Sequence, residues 1–284
     1  MGDCVALHNL HLPTRLPDSE MFPAFTMVSC LGSASIAFPF FDVFRPPTDV
    51  SLQDWPSVVD SIKANRDAHP WASRLPRLVF RGGAGRMCST CATPEGYSAQ
   101  SLLLQADGHE YCSRNKAISL EHTDTRYDFG VNYPHKLTMP MHEQFKYVLY
   151  LHGQCHWASR LRHFLFQGLV LFKQVGQCDE FYGMRLRPWV HYIPVDYNLN
   201  NLSASLDWAI ANEDRVLKII KNMHDYAEKF NTARFAIKYA FELLHEYSNL
   251  LDYNVTLRPQ LDYLPTVDSF EATFNKQIAR GRNT

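Results

Sequence analysis

Two short stretches combine small residues with arginines in a way suited to holding an anion. The first is RGGAGR, residues 81–86. Gly82, Gly83 and Gly85 let main-chain N–H groups approach a ligand closely, and Arg81 and Arg86 can neutralise it. The second is HGQCHWASRLRH, residues 152–163, where Ser159 and Arg160 stand at the start of a helical pattern. A helix dipole disfavours a cation in its first turn by about 0.3–1 kcal/mol, and a bound phosphate reverses that sign. Arg162, two positions on from Arg160, is expected to point elsewhere, into solvent. Neither stretch has the spacing of a Walker loop or of GxGxxG, so the first reads equally well as a tight turn with exposed arginines.

Two arginine-bearing loops at one edge of a sheet suit a nucleotide diphosphate. The lack of a Walker lysine argues against ordinary ATP hydrolysis, and a sugar nucleotide fits. The sequence has no Asp-x-Asp, the usual metal clamp for such donors. Positive side chains would then stabilise the departing diphosphate, and no metal is expected. CSTC at Cys88–Cys91 has the spacing of half a zinc site, but no second CxxC follows it and HGQCH is not a standard partner.

These loops need a frame. RLVFRGG, QFKYVLYLHG, GLVLFKQV and VHYIPV are short apolar runs, most of them stopped by glycine or proline, and read as buried parallel strands. WASRLRHFLFQ reads as a helix between two of them, with Leu161, Phe164 and Leu165 on one side. The alternation predicts an α/β fold with a doubly wound sheet, whose ligands bind beyond the carboxyl ends of the strands. Upstream, SLQDWPSVVDSIKANRD predicts a helix with Trp55, Val58, Val59 and Ile62 on one face. Downstream, Leu202, Leu206 and Ile210 mark one helix, Asn212 is expected to cap a second, and Thr232 a third. The stripe Ala236, Tyr239, Ala240, Leu243, Leu244, Tyr247 is expected to be core. Residues 1–74 form a partial N-terminal domain in this reading, and residues 75–284 a nucleotide-binding domain with C-terminal helices.

Composition excludes several alternatives. The 284 residues are 46% hydrophobic, enough for real cores, and Lys+Arg 28 against Asp+Glu 29 leaves no basic field for nucleic acid. The longest apolar run, from Met27 to Phe44, is interrupted by Ser29, Ser33, Ser35, Pro39 and Asp42, so no membrane span is expected. The N-terminus reads without a secretion signal, and Ala6 stands where myristoylation after Gly2 requires Ser or Thr. Seven cysteines, an odd number, spell no small-domain disulfide framework and leave the compartment open.

FKYVLYLHGQCHWASRLRHFLFQGLVLFKQ, EFYGMRLRPWVHYIPVDYNLNNL and LLHEYSNLLDYNVTLRPQLDYLP follow one another in an order and spacing that closely resemble glycosyltransferase family 90. This is the capsule-associated group that includes Rumi-type protein O-glucosyltransferases. The likeness runs from about Val79 to Pro265 and is thin between Cys88 and His142; upstream it rests on FFDVFRPP. It implies a GT-B fold, two Rossmann-like domains facing across a cleft, here with a shortened first domain. It also implies an inverting, metal-independent transfer of glucose or xylose from a UDP-sugar to a protein serine, as in EGF-like repeats, or to a glycan hydroxyl. Asp42 matches the family's catalytic base. Arg81 and Gly82 match its Phe-Arg-Gly turn, and Cys155, His156, Trp157, Ala158, Ser159 and Arg160 match the donor loop, with Arg160 on the arginine that meets the diphosphate. Glu180 matches the acidic residue before the Pro-Trp motif, and His191 lies in the shared His-Tyr-x-Pro motif. Gly83, Ala84 and Gly85 replace a common Ser-Arg-Thr, and the arginine loop carries one extra residue. The alternative is a catalytically degenerate relative that serves as a nucleotide- or protein-binding scaffold. The resemblance further implies a monomer in the endoplasmic reticulum or Golgi lumen, which sequons at Asn201 and Asn254 would suit.

Overall fold

The computed structural model describes residues 24–30, 35–39, 55–82, 113–131, 137–152, 158, 160–176 and 178–251. The chain divides into two compact units, Met1–Phe241 and Glu242–Thr284. Within the first, three short strands come earliest: β1 (Ala24–Thr26), β2 (Val28–Cys30) and β3 (Ser35–Ala37). Helix α1 (Trp55–Asp67) follows, then β4 (Leu75–Gly82), α2 (Ser113–Leu120), β5 (Tyr127–Val131), β6 (Phe145–Tyr150), α3 (Arg160–Phe164), β7 (Val170–Gln174), β8 (Cys178–Glu180) and β9 (Ile193–Val195). Helices α4 (Leu202–Ala211), α5 (Glu213–Phe230) and α6 (Ala233–Asn249) close the described chain.

The five-stranded sheet has the order β5-β4-β6-β7-β9, and every pairing in it is parallel. Successive residues point to opposite faces, so each apolar run supplies two cores. Val79, Val148, Tyr150 and Leu171 face one cluster with α1, α3 and the second half of α5. Leu78, Phe80, Tyr147, Leu149, Val170 and Phe172 face the other, with α2, α4 and the first half of α5. Val216, Ile219 and Ile220 belong to the second cluster and Met223, Tyr226 and Ala227 to the first, so α5 serves both faces. Each large apolar side chain buried this way stabilises the fold by about 1.5–3 kcal/mol before entropy is counted.

The four strands expected from apolar runs are β4, β6, β7 and β9. Helix α1 forms as expected and buries Val59 and Ile62. Thr232 caps α6, its Oγ1 accepting the Phe235 N–H at 3.1 Å. Asn212 does stand at the N-cap of α5, but its side chain donates to the Trp208 carbonyl at 2.8 Å and makes no capping bond. Along α6 the apolar stripe is buried at Ala236 and Ala240, whereas Leu244 is 44% exposed. The helix read across WASRLRHFLFQ is confined to Arg160–Phe164, with turn hydrogen bonds carrying the chain on to Gln167.

Candidate functional site

The topology fixes where a ligand crevice can form. From β4 the chain leads to β5 on one side, and from β6 it leads to β7 on the other. The connections after β4 and β6 therefore lead to opposite sides, and the carboxyl ends of these two strands form the switch point where open α/β sheets take ligands. Arg81 and Gly82 end β4; Tyr150 ends β6, and Arg160 opens the helix that follows it.

Arg160 Nη1 donates to the main-chain carbonyl of Arg81, so two of the arginines singled out in the sequence meet at the switch point, while Arg86 lies outside the described residues. Arg160 is half-buried, burial works against its charge, and among the described residues no carboxylate pairs with it. With α3 only five residues long, a helix dipole adds little here, and the guanidinium itself is the feature that attracts an anion. Arg81 differs. Its Nη2 meets Asp128 Oδ1 at 2.5 Å and its Nη1 donates to the Asp128 carbonyl at 2.6 Å, so its charge is matched from the neighbouring strand β5.

The carboxyl ends of β6 and β7 are tied together by polar bonds that the sequence did not announce. Arg114 Nε, at the start of α2, donates to the His152 carbonyl at 2.9 Å, and Arg114 Nη2 to Leu151 at 3.3 Å. Gln174 Oε1, at the end of β7 and fully buried, accepts the His152 N–H at 3.1 Å, while its Nε2 donates to Tyr197 at 3.1 Å. The Tyr150 hydroxyl accepts the Ala158 N–H at 3.0 Å. Gly82 leaves no room for a side chain, since a Cβ there would stand 2.7 Å from Cζ of buried Phe80. Asp128 went unseen because YDFGV mixes Asp and Gly into a strand. Gln174 stood in a run read only as a strand, and Arg114 in a stretch for which no element was expected.

Glu180 closes β8. Burial pushes its carboxyl up to about 7, against the pull of the Tyr182 hydroxyl and the Arg162 charge. Tyr182 donates to Glu180 Oε2 at 2.5 Å. Arg162 is not solvated as expected: its guanidinium lies 3.6 Å from the centre of the Trp55 ring. His191 is buried, accepts the Arg187 N–H on Nδ1 at 2.9 Å, and lies 4.9 Å from the Tyr226 ring, while burial lowers its basicity. Its described contacts are with its own loop and α5. Asp42, Gly83, Gly85, Cys155, His156, Trp157 and Ser159 lie outside the described residues, as do Cys88 and Cys91. Among the described residues no three of His, Cys, Asp and Glu gather as metal ligands, and no helix is long and apolar enough to cross a membrane. Asn201, the first sequon asparagine, already accepts the Asp196 N–H at 2.9 Å and donates to Pro194 at 3.3 Å. Asn254 is outside the described residues.

Sheet order and the Arg160–Arg81 contact together define a doubly wound α/β protein with an arginine at its switch point. The sequence profile of glycosyl transferase family 90 matches residues 11–278. Protein O-glucosyltransferase 1 of Bos taurus is 32% identical over 279 residues, a match covering 88% of this chain and 67% of the bovine protein. Protein O-glucosyltransferase 1 of Homo sapiens is 32% identical over 123 residues, covering 43% of this chain and 31% of the human protein. Protein O-glucosyltransferase 3 of Homo sapiens is 25% identical over 122 residues, covering 43% and 24% respectively. The chain belongs to glycosyl transferase family 90. Its matches span less than a third of the human relatives' lengths and 67% of the bovine one.

Proposed function

We propose that the chain is an inverting O-glycosyltransferase that moves glucose or xylose from a UDP-sugar to a protein serine or a glycan hydroxyl. The observation that carries this reading is the half-buried Arg160 guanidinium at the switch point, with no carboxylate beside it among the described residues. A diphosphate would supply the missing counter-charge in a partly desolvated site, where charge-assisted hydrogen bonds are strong. The family and the names of the relatives support the transfer of a sugar.

In the reaction, the acceptor oxygen forms a bond to C1 of the sugar as the bond from C1 to the β-phosphate oxygen breaks. The bonding pair leaves with the diphosphate, and the acceptor proton goes to a carboxylate. Arg160 stabilises the departing charge. Arg81 and Gly82 complete the cradle, Arg81 through the carbonyl that receives Arg160, and Asp42 is the base. Donor contacts are further assigned to residues 155–159, Glu180 and His191. A GT-B arrangement would set residues 1–74, a shortened acceptor-side domain, against residues 75–284, working as a monomer without a metal. EGF-like repeats are the protein acceptor of choice, in the endoplasmic reticulum or Golgi lumen. The disulfide at Cys178 suits such an oxidising compartment.

A screen of UDP-sugars with an EGF-like repeat, reading hydrolysis and transfer together, tests this. Transfer from UDP-glucose or UDP-xylose that disappears in Asp42→Asn is the expected outcome; transfer unchanged in Asp42→Asn removes the base assignment. The pairing of Arg81 with Asp128 favours a second reading, a relative that binds nucleotide or protein without transfer. Binding of UDP with no turnover of any donor would select it.

A further inference from the structure

We propose that Tyr150 is a positioning residue for Arg160, a role that rests on the donor-site reading above. Tyr150 is the last residue of β6, on the face shared with Val148, and only 3% exposed. A phenylalanine would place the same ring in that core position. What tyrosine adds is a hydroxyl at the carboxyl edge of the sheet, and that hydroxyl accepts the Ala158 N–H at 3.0 Å.

Ala158 stands at a decisive point. Its carbonyl accepts the Leu161 N–H at 3.0 Å, the bond that begins the turn into α3. Its own N–H has no partner within the helix, as for every residue at a helix start. The phenol supplies one from the sheet. Two residues later Arg160 departs toward the Arg81 carbonyl. Leu161 and Phe164 anchor α3 in the core from below. The Tyr150 hydroxyl fixes the main chain ahead of it.

The ring cannot swing away. It packs in the core cluster and lies 5.6 Å from the His152 ring, edge to face. The His152 main chain is in turn held by Gln174 and Arg114. A phenol held in this way sets Ala158 before any ligand arrives, and pre-organised donors are the ones that count in binding and catalysis.

Tyr150→Phe retains the ring and removes only the acceptor, so its melting temperature is expected to stay close to that of the unaltered protein. Amide hydrogen exchange at Ala158 is expected to lose protection, and UDP affinity in a calorimetric titration to fall about five- to tenfold, the weight of one hydrogen bond. Because Tyr150 acts through Arg160, Tyr150→Phe is expected to cost nothing further in an Arg160→Ala background. Unchanged Ala158 protection, unchanged UDP affinity, or full additivity of the two substitutions would each overturn the proposal. The exchange measurement needs no ligand. If the unaltered protein takes no UDP, the donor reading fails, while the link between Tyr150 and Ala158 is still decided by exchange.

Discussion

The Arg160 guanidinium donates to the main-chain carbonyl of Arg81, joining the end of β4 to the helix that follows β6. A guanidinium carries five N–H donors, so one bond to a carbonyl orients it and leaves the others for a ligand. The carbonyl carries no net charge, and among the described residues no carboxylate matches the positive charge of Arg160. Arg81 has the opposite arrangement, its guanidinium matched by Asp128. Among the described residues one arginine thus keeps a charge without a carboxylate and the other joins two strands.

That division of labour has a direct consequence. The Arg81 and Asp128 side chains are 14% and 25% exposed, sheltered enough for the pair to matter. Asp128→Asn is expected to lower stability by about 1 kcal/mol, and a double-mutant cycle with Arg81→Met to show coupling of roughly 0.5–3 kcal/mol in urea denaturation. A coupling of zero would mean that the two side chains act independently.

Gly82 tests the closeness of the strand end to the core. Gly82→Ala brings a methyl within 2.7 Å of Phe80 Cζ, and Phe80 is buried at 1% exposure, so its ring must shift within the core. Overpacking of this kind is expected to cost about 1–3 kcal/mol, seen as a melting temperature several degrees lower. A variant as stable as the parent would show that Phe80 yields easily.

Glu180 gives a pH signature. Its carboxyl is raised by burial to about 7 from an ordinary 4.5, so the folded protein holds a proton that the unfolded chain releases. This contribution is present in full below about pH 4.5 and is lost as pH rises through about 7. Glu180→Gln keeps the shape and lacks the titration. The stability of the parent minus that of Glu180→Gln is expected to fall between about pH 4.5 and 7 and to level off above, in denaturant melts taken across that range. A flat difference would put the carboxyl at its ordinary value.

Much of the sheet was legible because its strands are apolar runs, and burial on both faces demands that pattern. β5 was hidden by Asp128 and Gly130, and Asp128 is polar for a tertiary reason, its pairing with Arg81. β1, β2, β3 and β8 have three residues each, too few for a period to declare itself. Local spacing sent Arg162 to solvent, since nothing near it in sequence reveals Trp55, the ring it lies against. Asn212 has the residue type of a cap, yet the Trp208 carbonyl one turn earlier takes its side chain. Arg81 and Arg160 were legible as a pair of anion-binding candidates, but their different duties depend on one carboxylate from an unrecognised strand. Tyr150 looked like any strand aromatic because its hydroxyl acts eight residues downstream.

The central claim is that Arg160 meets a diphosphate, and titrating UDP and uridine into the parent protein and Arg160→Ala tests it most directly. UDP is expected to bind the parent far more tightly than uridine, and the substitution to weaken UDP by on the order of tenfold to hundredfold, the weight of one or two charge-assisted bonds, while leaving uridine unchanged. Equal UDP affinity in the two proteins, with both folded by thermal melt, would contradict it.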